Sequence, residues 1–214
     1  MTRKIRRLFF VTVLAAFGVG MNGAAFAQQV SGAIFTTDQN SNYVNGNVYD
    51  FMEEVYLSGG PRPNAPCTAA GLPSGDYYFQ VTDPSGSQLL SSDAIEYRRT
   101  TVSGGLFVNA TAFHNIGIGK CVGVNPNNIT VQLAPFSPTP NPGGEYKVWV
   151  TKVSDFDKTM TKGSFGFIQS KSKTDNFKVV APADTDIDSD GDGIPDSVDL
   201  CPTDPDPICG IIFG

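Results

Sequence analysis

Short runs in which apolar and polar residues alternate fill the middle of the chain, and Gly, Pro, Asn and Asp separate them. The clearest run is Asp76–Thr82, which is rich in aromatic and β-branched residues and lies between two turn sequences. In a second run, Glu145–Thr151, the residues Tyr146, Val148 and Val150 recur at a spacing of two. This spacing predicts β-strands, because successive side chains of a strand point to opposite faces.

The other strand candidates are shorter, but the same turn residues bound them. They are Ile34–Thr37, Val48–Tyr49, Glu54–Leu57, Gly105–Val108, Ile129–Leu133 and Phe177–Val180. We expect the last of these to close a sheet edge. No stretch keeps a helical period for three turns, and Met52-Glu53-Glu54 is the nearest to a helical turn. Many short strands with frequent turns favour an all-β fold, a single β-sandwich of the immunoglobulin-like kind.

The N-terminal segment 1–27 has the three parts of a secretory signal peptide. A start with four cations precedes an apolar run, Leu8–Val19, and an Ala-x-Ala site ends at Ala27. The apolar run is too short to be a strong membrane span; an uncleaved N-terminal anchor is the alternative. We expect cleavage after Ala27, no membrane span in the mature chain, and a secreted or cell-surface protein exported by a bacterial Sec-type pathway.

The charge changes abruptly near Ala181, which predicts a domain boundary. The segment 28–181 holds 11 basic and 12 acidic residues, whereas 182–214 holds nine Asp and no Lys, Arg or Glu. Loss of the signal peptide takes the formal net charge from −6 to −10. So acidic a chain argues against a nucleic-acid partner, which needs a basic footprint, and against an anionic membrane surface. Glu53-Glu54, an adjacent acidic pair, is interpreted as solvated charge.

Four cysteines, Cys67, Cys121, Cys201 and Cys209, all lie in the exported part of the chain. Export makes disulfides the expected state, and four cysteines allow three connectivities. We favour Cys67–Cys121 and Cys201–Cys209, because each pair lies within one compositional segment. Pairing of Cys201 and Cys209 with another chain is the alternative.

The acidic segment contains the strongest chemical signal of the chain. From Asp188, carboxylates fall at positions 1, 3, 5, 9 and 12, glycine at 6 and a backbone carbonyl at 7, which is the ligand order of a calcium loop. Calcium prefers six to eight oxygen ligands, and alternate Asp residues on a tight loop converge on one point. The predicted ligands are Asp188, Asp190, Asp192, Ile194, Asp196 and Asp199.

The flanking residues differ from those of a helix–loop–helix site. Position 12 is Asp199 rather than Glu, no amphipathic helix precedes the loop, and Cys201-Pro202 follows it. In these features the segment resembles the thrombospondin type 3 repeat. The resemblance implies a calcium-binding repeat of irregular structure, with Asp184 and Asp186 extending the pattern towards a second ion. The alternative is an extended acidic linker, since like charges repel without a counter-ion.

A second resemblance concerns the segment 28–181. The run Gly71–Phe79, with its Leu-Pro-Ser-Gly-Asp-Tyr order, resembles a hairpin of prealbumin-like and collagen-adhesin B-type domains of bacterial surface proteins. This resemblance implies a prealbumin-like sandwich as the alternative to an immunoglobulin-like one, and a stalk or adhesion module. We therefore expect a calcium-binding structural or adhesion protein whose partner is extracellular matrix, a surface protein or a glycan. A fragment of a larger surface protein is a variant of the same hypothesis.

Two other functions are weighed against it. Tyr77-Tyr78-Phe79 would suit a carbohydrate-stacking platform, but alternation along a strand favours core packing for these rings. A secreted hydrolase is less favoured, because His114 is the only histidine and no nucleophile motif accompanies it. We expect no enzymatic activity.

Overall fold

A computed structural model describes residues 30–180 of the chain. This part of the chain is all-β, as predicted, and its helices are five three-residue 3-10 turns. Ten strands form two sheets. The strands are β1 Ala33–Thr37, β2 Val48–Tyr49, β3 Tyr56–Gly60, β4 Gly75–Thr82, β5 Arg99–Ser103, β6 Leu106–Ala110, β7 Ile116–Ile118, β8 Ile129–Gln132, β9 Glu145–Lys152 and β10 Ser172–Val179. The 3-10 turns are Met52–Glu54, Ile95–Tyr97, Val153–Asp155, Ser164–Gly166 and Gln169–Lys171.

The smaller sheet has four strands in the order β1-β3-β8-β7, and the larger has six in the order β2-β10-β9-β4-β5-β6. Neighbouring strands are antiparallel except β2 and β10, which are parallel. The strand β10 lies between β2 and β9, so the expectation that Phe177–Val180 closes a sheet edge was wrong. The two-residue strand β2 takes that edge, where its short length limits unwanted pairing.

The main hydrophobic core contains residues of both sheets. Leu57 and Val131 of the smaller sheet belong to one buried cluster with Phe79, Val148 and Val150 of the larger sheet. Each of these side chains is at most 1% exposed, so each contributes about 1.5–3 kcal/mol through burial. The residues that recur at the predicted spacing of two along β4 and β9 form most of the core-facing surface of the larger sheet.

The opposite face of the larger sheet is also covered. Tyr78 and Trp149, which point away from the main core, form a second buried cluster with Phe167. The Trp149 indole N–H donates to the Thr82 hydroxyl at 2.9 Å, and the Gln80 amide donates to the Ser164 carbonyl at 2.8 Å. Phe167 and Ser164 belong to the connection between β9 and β10, which therefore covers this face.

Glycines extend β3 beyond its predicted end. The prediction placed the strand at Glu54–Leu57, but Glu54 ends a 3-10 turn and the strand continues through Gly59 and Gly60. A Cβ on Gly59 would lie 2.3 Å from the Phe107 ring. Glycine is needed at position 59 because the Phe107 ring packs directly on the backbone there. The strand preferences of residue types do not predict such a contact.

The Leu-Pro-Ser-Gly-Asp-Tyr run leads into β4. Leu72 belongs to the main core, and the Tyr77 hydroxyl donates to the Pro73 carbonyl at 2.6 Å. Burial raises the pKa of Tyr77 to about 12, so the phenol stays protonated and keeps this bond in alkaline solution where an exposed tyrosine ionises. The bond fixes the turn against the strand that follows it.

Asp175 of β10 closes the open edge of β1. Its carboxylate accepts a hydrogen bond from the Thr36 backbone N–H at 2.9 Å and lies 3.4 Å from the Thr36 hydroxyl. An edge strand leaves such N–H groups unpaired, and this side chain replaces the missing neighbour. Burial raises the pKa of Asp175, although hydrogen bonds from Thr36 and Asn176 act against the rise.

Replacing Asp175 with asparagine is expected to raise the free energy of unfolding at pH 7. The amide oxygen still accepts from Thr36, and the cost of burying a charge is removed. Because the folded-state pKa lies above the unfolded value of about 3.9, the carboxyl stabilises the fold below that value and loses the contribution as the pH rises through the folded pKa. Urea denaturation between acidic and neutral pH should therefore show wild type losing stability relative to Asp175→Asn.

Asp76 provides a control of opposite sign. Hydrogen bonds from Arg99 and Thr101 lower its pKa, so its contribution is present above the unfolded pKa and lost as the pH falls. Wild type should gain stability relative to Asp76→Asn as the pH rises. If wild type also gained stability relative to Asp175→Asn as the pH rises, the assignment of a costly buried charge at Asp175 would be wrong.

Candidate functional site

The predicted calcium ligands Asp184, Asp186, Asp188, Asp190, Asp192, Ile194, Asp196 and Asp199 lie outside the described residues, as do Cys201, Cys209 and the predicted signal peptide. These assignments stay predictions. Within residues 30–180, no group of three or more His, Cys, Asp or Glu side chains is arranged to hold a metal ion, and no helix is long and apolar enough to cross a membrane.

Cys67 and Cys121 form a disulfide, the pairing that the sequence analysis favours. It joins the loop before β4 to the loop between β7 and β8. Around it, the Cys121 backbone N–H donates to the Asn128 side chain at 2.8 Å, and Asn128 donates to the Phe107 carbonyl at 3.0 Å. The bond and this buried amide therefore tie two long loops to the edge of the larger sheet.

The aromatic run considered for carbohydrate stacking is buried. Tyr77 is 1% exposed, Tyr78 6% and Phe79 0%, with Tyr78 on the opposite face from the other two. These rings are core packing, and no face of them is open to a sugar. An aromatic surface that the pattern missed is the pair Tyr97 and Phe113, whose partly exposed rings stack with centroids 3.9 Å apart.

His114 belongs to a buried polar cluster with Asp93 and Arg98. Its Nδ1 lies 2.9 Å from the Gln132 carbonyl oxygen and its Nε2 lies 3.1 Å from an Asp93 carboxylate oxygen. Both neighbours are acceptors and a neutral ring has one N–H, so the two contacts are hydrogen bonds at the same time only while the ring or the Asp93 carboxyl carries an additional proton. Burial and the nearby Arg98 guanidinium lower the pKa of His114.

Arg98 is the centre of this cluster. It is fully buried and donates to the Asp93 carboxylate and to the Leu133 and Pro135 carbonyls. Its guanidinium also lies 5.6 Å from the centroid of the Phe79 ring. With both His114 nitrogens in contact with protein acceptors, the ring has no free nitrogen with which to activate a nucleophile. The cluster holds the 3-10 turn before β5 against the segment that follows β8.

One cavity within the described residues is acidic. Its volume is about 540 Å³, and its lining includes four carboxylates, which none of the ion pairs within residues 30–180 engages. They come from the ends of β1 and β2 and from the Met52–Glu54 turn. The four are Asp38, Asp50, Glu53 and Glu54.

Tyrosines complete the lining of this acidic cavity. Tyr43 is 68% exposed, whereas Tyr49 and Tyr56 are buried. No group meets the full geometry of a hydrogen bond to the buried Tyr49 hydroxyl, although the Thr36 side chain interacts with it. Burial raises the pKa of Tyr49, the Thr36 side chain opposes the rise, and Asp175 and Asp38 add to it. An unpaired buried hydroxyl is uncommon in proteins and calls for an explanation.

No known protein family, curated protein or solved structure matches this chain.

Proposed function

We propose that this protein is an exported, calcium-binding structural or adhesion protein in which a β-sandwich carries an Asp-rich calcium repeat at its C-terminal side. The observation that carries the proposal is the ligand order from Asp188 to Asp199. Five carboxylates, a central glycine and one backbone carbonyl provide oxygen atoms in the order that calcium loops use. The following Cys201-Pro202 supports a repeat of the thrombospondin type 3 kind.

Calcium has a physical role in such a segment. The segment 182–214 holds nine Asp and no cation, so its carboxylates repel one another at neutral pH. A divalent ion neutralises part of this charge and links ordering of the loop to binding. Magnesium fits less well, because it gives up its water ligands reluctantly.

The β domain supports the extracellular and structural parts of the proposal. Two sheets that share one core support a β-sandwich, and the sandwich suits a spacer or adhesion module. The Cys67–Cys121 disulfide supports export, because disulfides persist in oxidising compartments. In this proposal the partner of the domain is extracellular matrix, a surface protein or a glycan.

Calcium titration of the mature chain by calorimetry tests the proposal. Wild type should bind with an affinity of about 10⁻⁴–10⁻³ M, the range of extracellular modules. Asp190→Ala and Asp192→Ala each remove a predicted ligand and should abolish most of the heat. Asp206→Ala is the matched control, since it removes the same charge from the same segment outside the predicted loop.

Proteolysis gives a second readout of the same prediction. The segment 182–214 should be cleaved readily in chelator and protected in millimolar calcium. An absence of heat, heat unchanged in both ligand variants, or equal cleavage in the two conditions would count against the calcium repeat.

A further inference from the structure

A smaller cavity, here named the aromatic cavity, lies against the larger sheet beneath the connection between β9 and β10. Its volume is about 180 Å³. A cavity of roughly 150 Å³ already holds benzene. An apolar wall with a few polar groups is the usual composition of a small-molecule site. The lining has this composition, with apolar Leu89, Ile95, Phe156 and Phe165 and polar Gln80, Ser91, Asp93 and Arg98.

The Gln80 side chain brings an unsatisfied acceptor to the aromatic cavity. The residue is only 2% exposed, and its amide N–H donates to the Ser164 carbonyl at 2.8 Å. That bond identifies the amide nitrogen, and the amide oxygen receives no hydrogen bond from residues 30–180. The oxygen is also not among the fully enclosed atoms that lack a partner, which are the Thr37 and Tyr49 hydroxyls. It therefore keeps accessible surface, and a donor in the cavity would satisfy it.

Ser91 brings the complementary donor. Its hydroxyl oxygen accepts from the Val81 backbone N–H at 2.8 Å, whereas its proton has no acceptor within residues 30–180. The other two polar residues of the lining bond each other, because Arg98 donates to the Asp93 carboxylate. The free polar capacity of the cavity is thus one acceptor on Gln80 and one donor on Ser91. A single hydroxyl group, which both donates and accepts, matches this pair.

The roof of the aromatic cavity is strained. Ser164 and Phe165 have φ angles of +43° and +44°, in the left-handed region that residues other than glycine rarely adopt. Two bonds impose this conformation: the Ser164 N–H donates to the Gly86 carbonyl at 2.8 Å, and Gln80 donates to the Ser164 carbonyl. Backbone strain of this kind is concentrated at ligand clamps and other functional sites. Here it brings the Phe165 side chain to the cavity.

The size and lining define the ligand. Phe156 and Phe165 provide ring surfaces, which favour an aromatic partner at an edge-to-face or offset angle. The Arg98–Asp93 pair is internally compensated, so a neutral polar group suits the cavity better than an ion. Leu89 is 41% exposed and marks the opening.

We propose that the aromatic cavity binds a phenol group, with its ring against Phe156 and Phe165 and its hydroxyl donating to the Gln80 amide oxygen and accepting from Ser91. Two sources present this chemistry: a tyrosine side chain of a partner protein, and a free phenol. The inference does not depend on the calcium repeat, because every residue that carries it lies in the β domain.

The test is an NMR titration of the ¹⁵N-labelled mature chain in chelator, so that the predicted calcium repeat does not contribute. The probes are 4-methylphenol, which reproduces the tyrosine side chain, and toluene, which lacks the hydroxyl. The phenol should shift the Gln80 side-chain amide signal and the backbone signals of the segments 89–95 and 156–165. It should bind about tenfold more tightly than toluene, because only the phenol satisfies Gln80 and Ser91.

A substitution at Gln80 tests the hydrogen bond. Gln80→Met keeps the length of the side chain but removes the acceptor, and should reduce the preference for 4-methylphenol over toluene about fivefold. Gln169→Met, the same change at an exposed position outside the cavity, should leave the preference unchanged. The affinity for toluene reports separately whether the cavity itself has kept its shape. An unchanged preference in Gln80→Met would remove Gln80 as the acceptor and overturn the assignment.

A substitution at the opening tests the location without altering Gln80. Leu89→Trp should obstruct the cavity and weaken both probes by at least about tenfold, whereas Val124→Trp, at a position 59% exposed and outside the cavity, should not. Full binding in a Leu89→Trp chain with the wild-type melting temperature would overturn the proposal.

The wild-type titration alone also decides against the proposal in three cases: no saturable shift, equal affinity for 4-methylphenol and toluene, or shifts confined to signals outside the cavity. A further arm with acetyl-Gly-Tyr-Gly-amide distinguishes the two sources. A peptide that binds at least as tightly as 4-methylphenol points to a tyrosine of a partner protein. A peptide that does not bind, while 4-methylphenol does, points to a free phenol.

Discussion

Replacing Arg98 with alanine is expected to lower the free energy of unfolding by about 3–5 kcal/mol, the cost of breaking a buried ion pair. Arg98 is fully buried, and its removal would leave the Asp93 carboxylate, which is 17% exposed, without its cation. The Leu133 and Pro135 carbonyls would also lose their donor. Each buried group left unpaired costs about 1–3 kcal/mol. Urea denaturation followed by fluorescence of Trp149, the single tryptophan, measures the loss.

The adjacent arginine is the matched control for this prediction. Arg99 is half-exposed and pairs with Asp76 at the surface, so Arg99→Ala should cost about 0–1 kcal/mol. Arg98→Lys tests the specific role of the guanidinium, because lysine keeps the charge but cannot bond Asp93 and two carbonyls with the same geometry. Similar small losses at positions 98 and 99 would show that the buried network contributes little. Full stability in Arg98→Lys would show that the geometry of the guanidinium is not required.

Loss of the Cys67–Cys121 disulfide is the second large effect that we expect. The two cysteines are 54 positions apart, and the loop-closure entropy of such a crosslink stabilises the fold by about 4 kcal/mol. The variant Cys67→Ala/Cys121→Ala should lose stability of this size in urea under non-reducing conditions. The loops around Asn128 and Pro63 should become sensitive to protease before the rest of the domain, because they are held together by this bond.

The remaining cysteines provide the control and also test the connectivity. Cys201→Ala/Cys209→Ala changes only the segment beyond the β domain and should leave its unfolding free energy unchanged. If the two double variants were equally destabilised, the cysteines would be paired across the two segments instead. If neither were destabilised, the Cys67–Cys121 crosslink would contribute nothing to folding stability.

The alternation of apolar and polar residues predicted the strands that form the core. It missed strands that are short or contain few apolar residues. Asp76–Thr82 and Glu145–Thr151 match β4 and β9 to within a residue at each end, because their aromatic and β-branched residues are bounded by turns. The strand β5, Arg99–Ser103, was missed, since it begins with charge and little apolar surface. The strand β7, Ile116–Ile118, was missed as well: it is three residues long and has glycine at its centre.

The acidic cavity was not predicted because its residues come from two strand ends and a 3-10 turn whose arrangement the alternation pattern does not give. Glu53 and Glu54 were interpreted as solvated charges, on the ground that neighbours in a strand face opposite sides. They lie instead in a 3-10 turn, where both can line one cavity. Asp38 joins them only because β1 pairs with β3 over five residue pairs. A weak signal was present in the sequence: the interval from 38 to 56 holds four acidic residues and three tyrosines but no cation.

The position of β10 determines how a pulling force on the C-terminal segment would be transmitted to the larger sheet. The segment from position 181 onward continues directly from this strand, which is paired with β9 over seven residues and with β2 over two. Beyond the strand, the Val180 N–H donates to the Tyr49 carbonyl. A strand at a sheet edge peels away one hydrogen bond at a time, whereas an interior strand is released only when ladders on both sides fail. A pull on the acidic segment would therefore load the ladders of β10 with β2 and with β9 together, one strand in from the edge of the larger sheet.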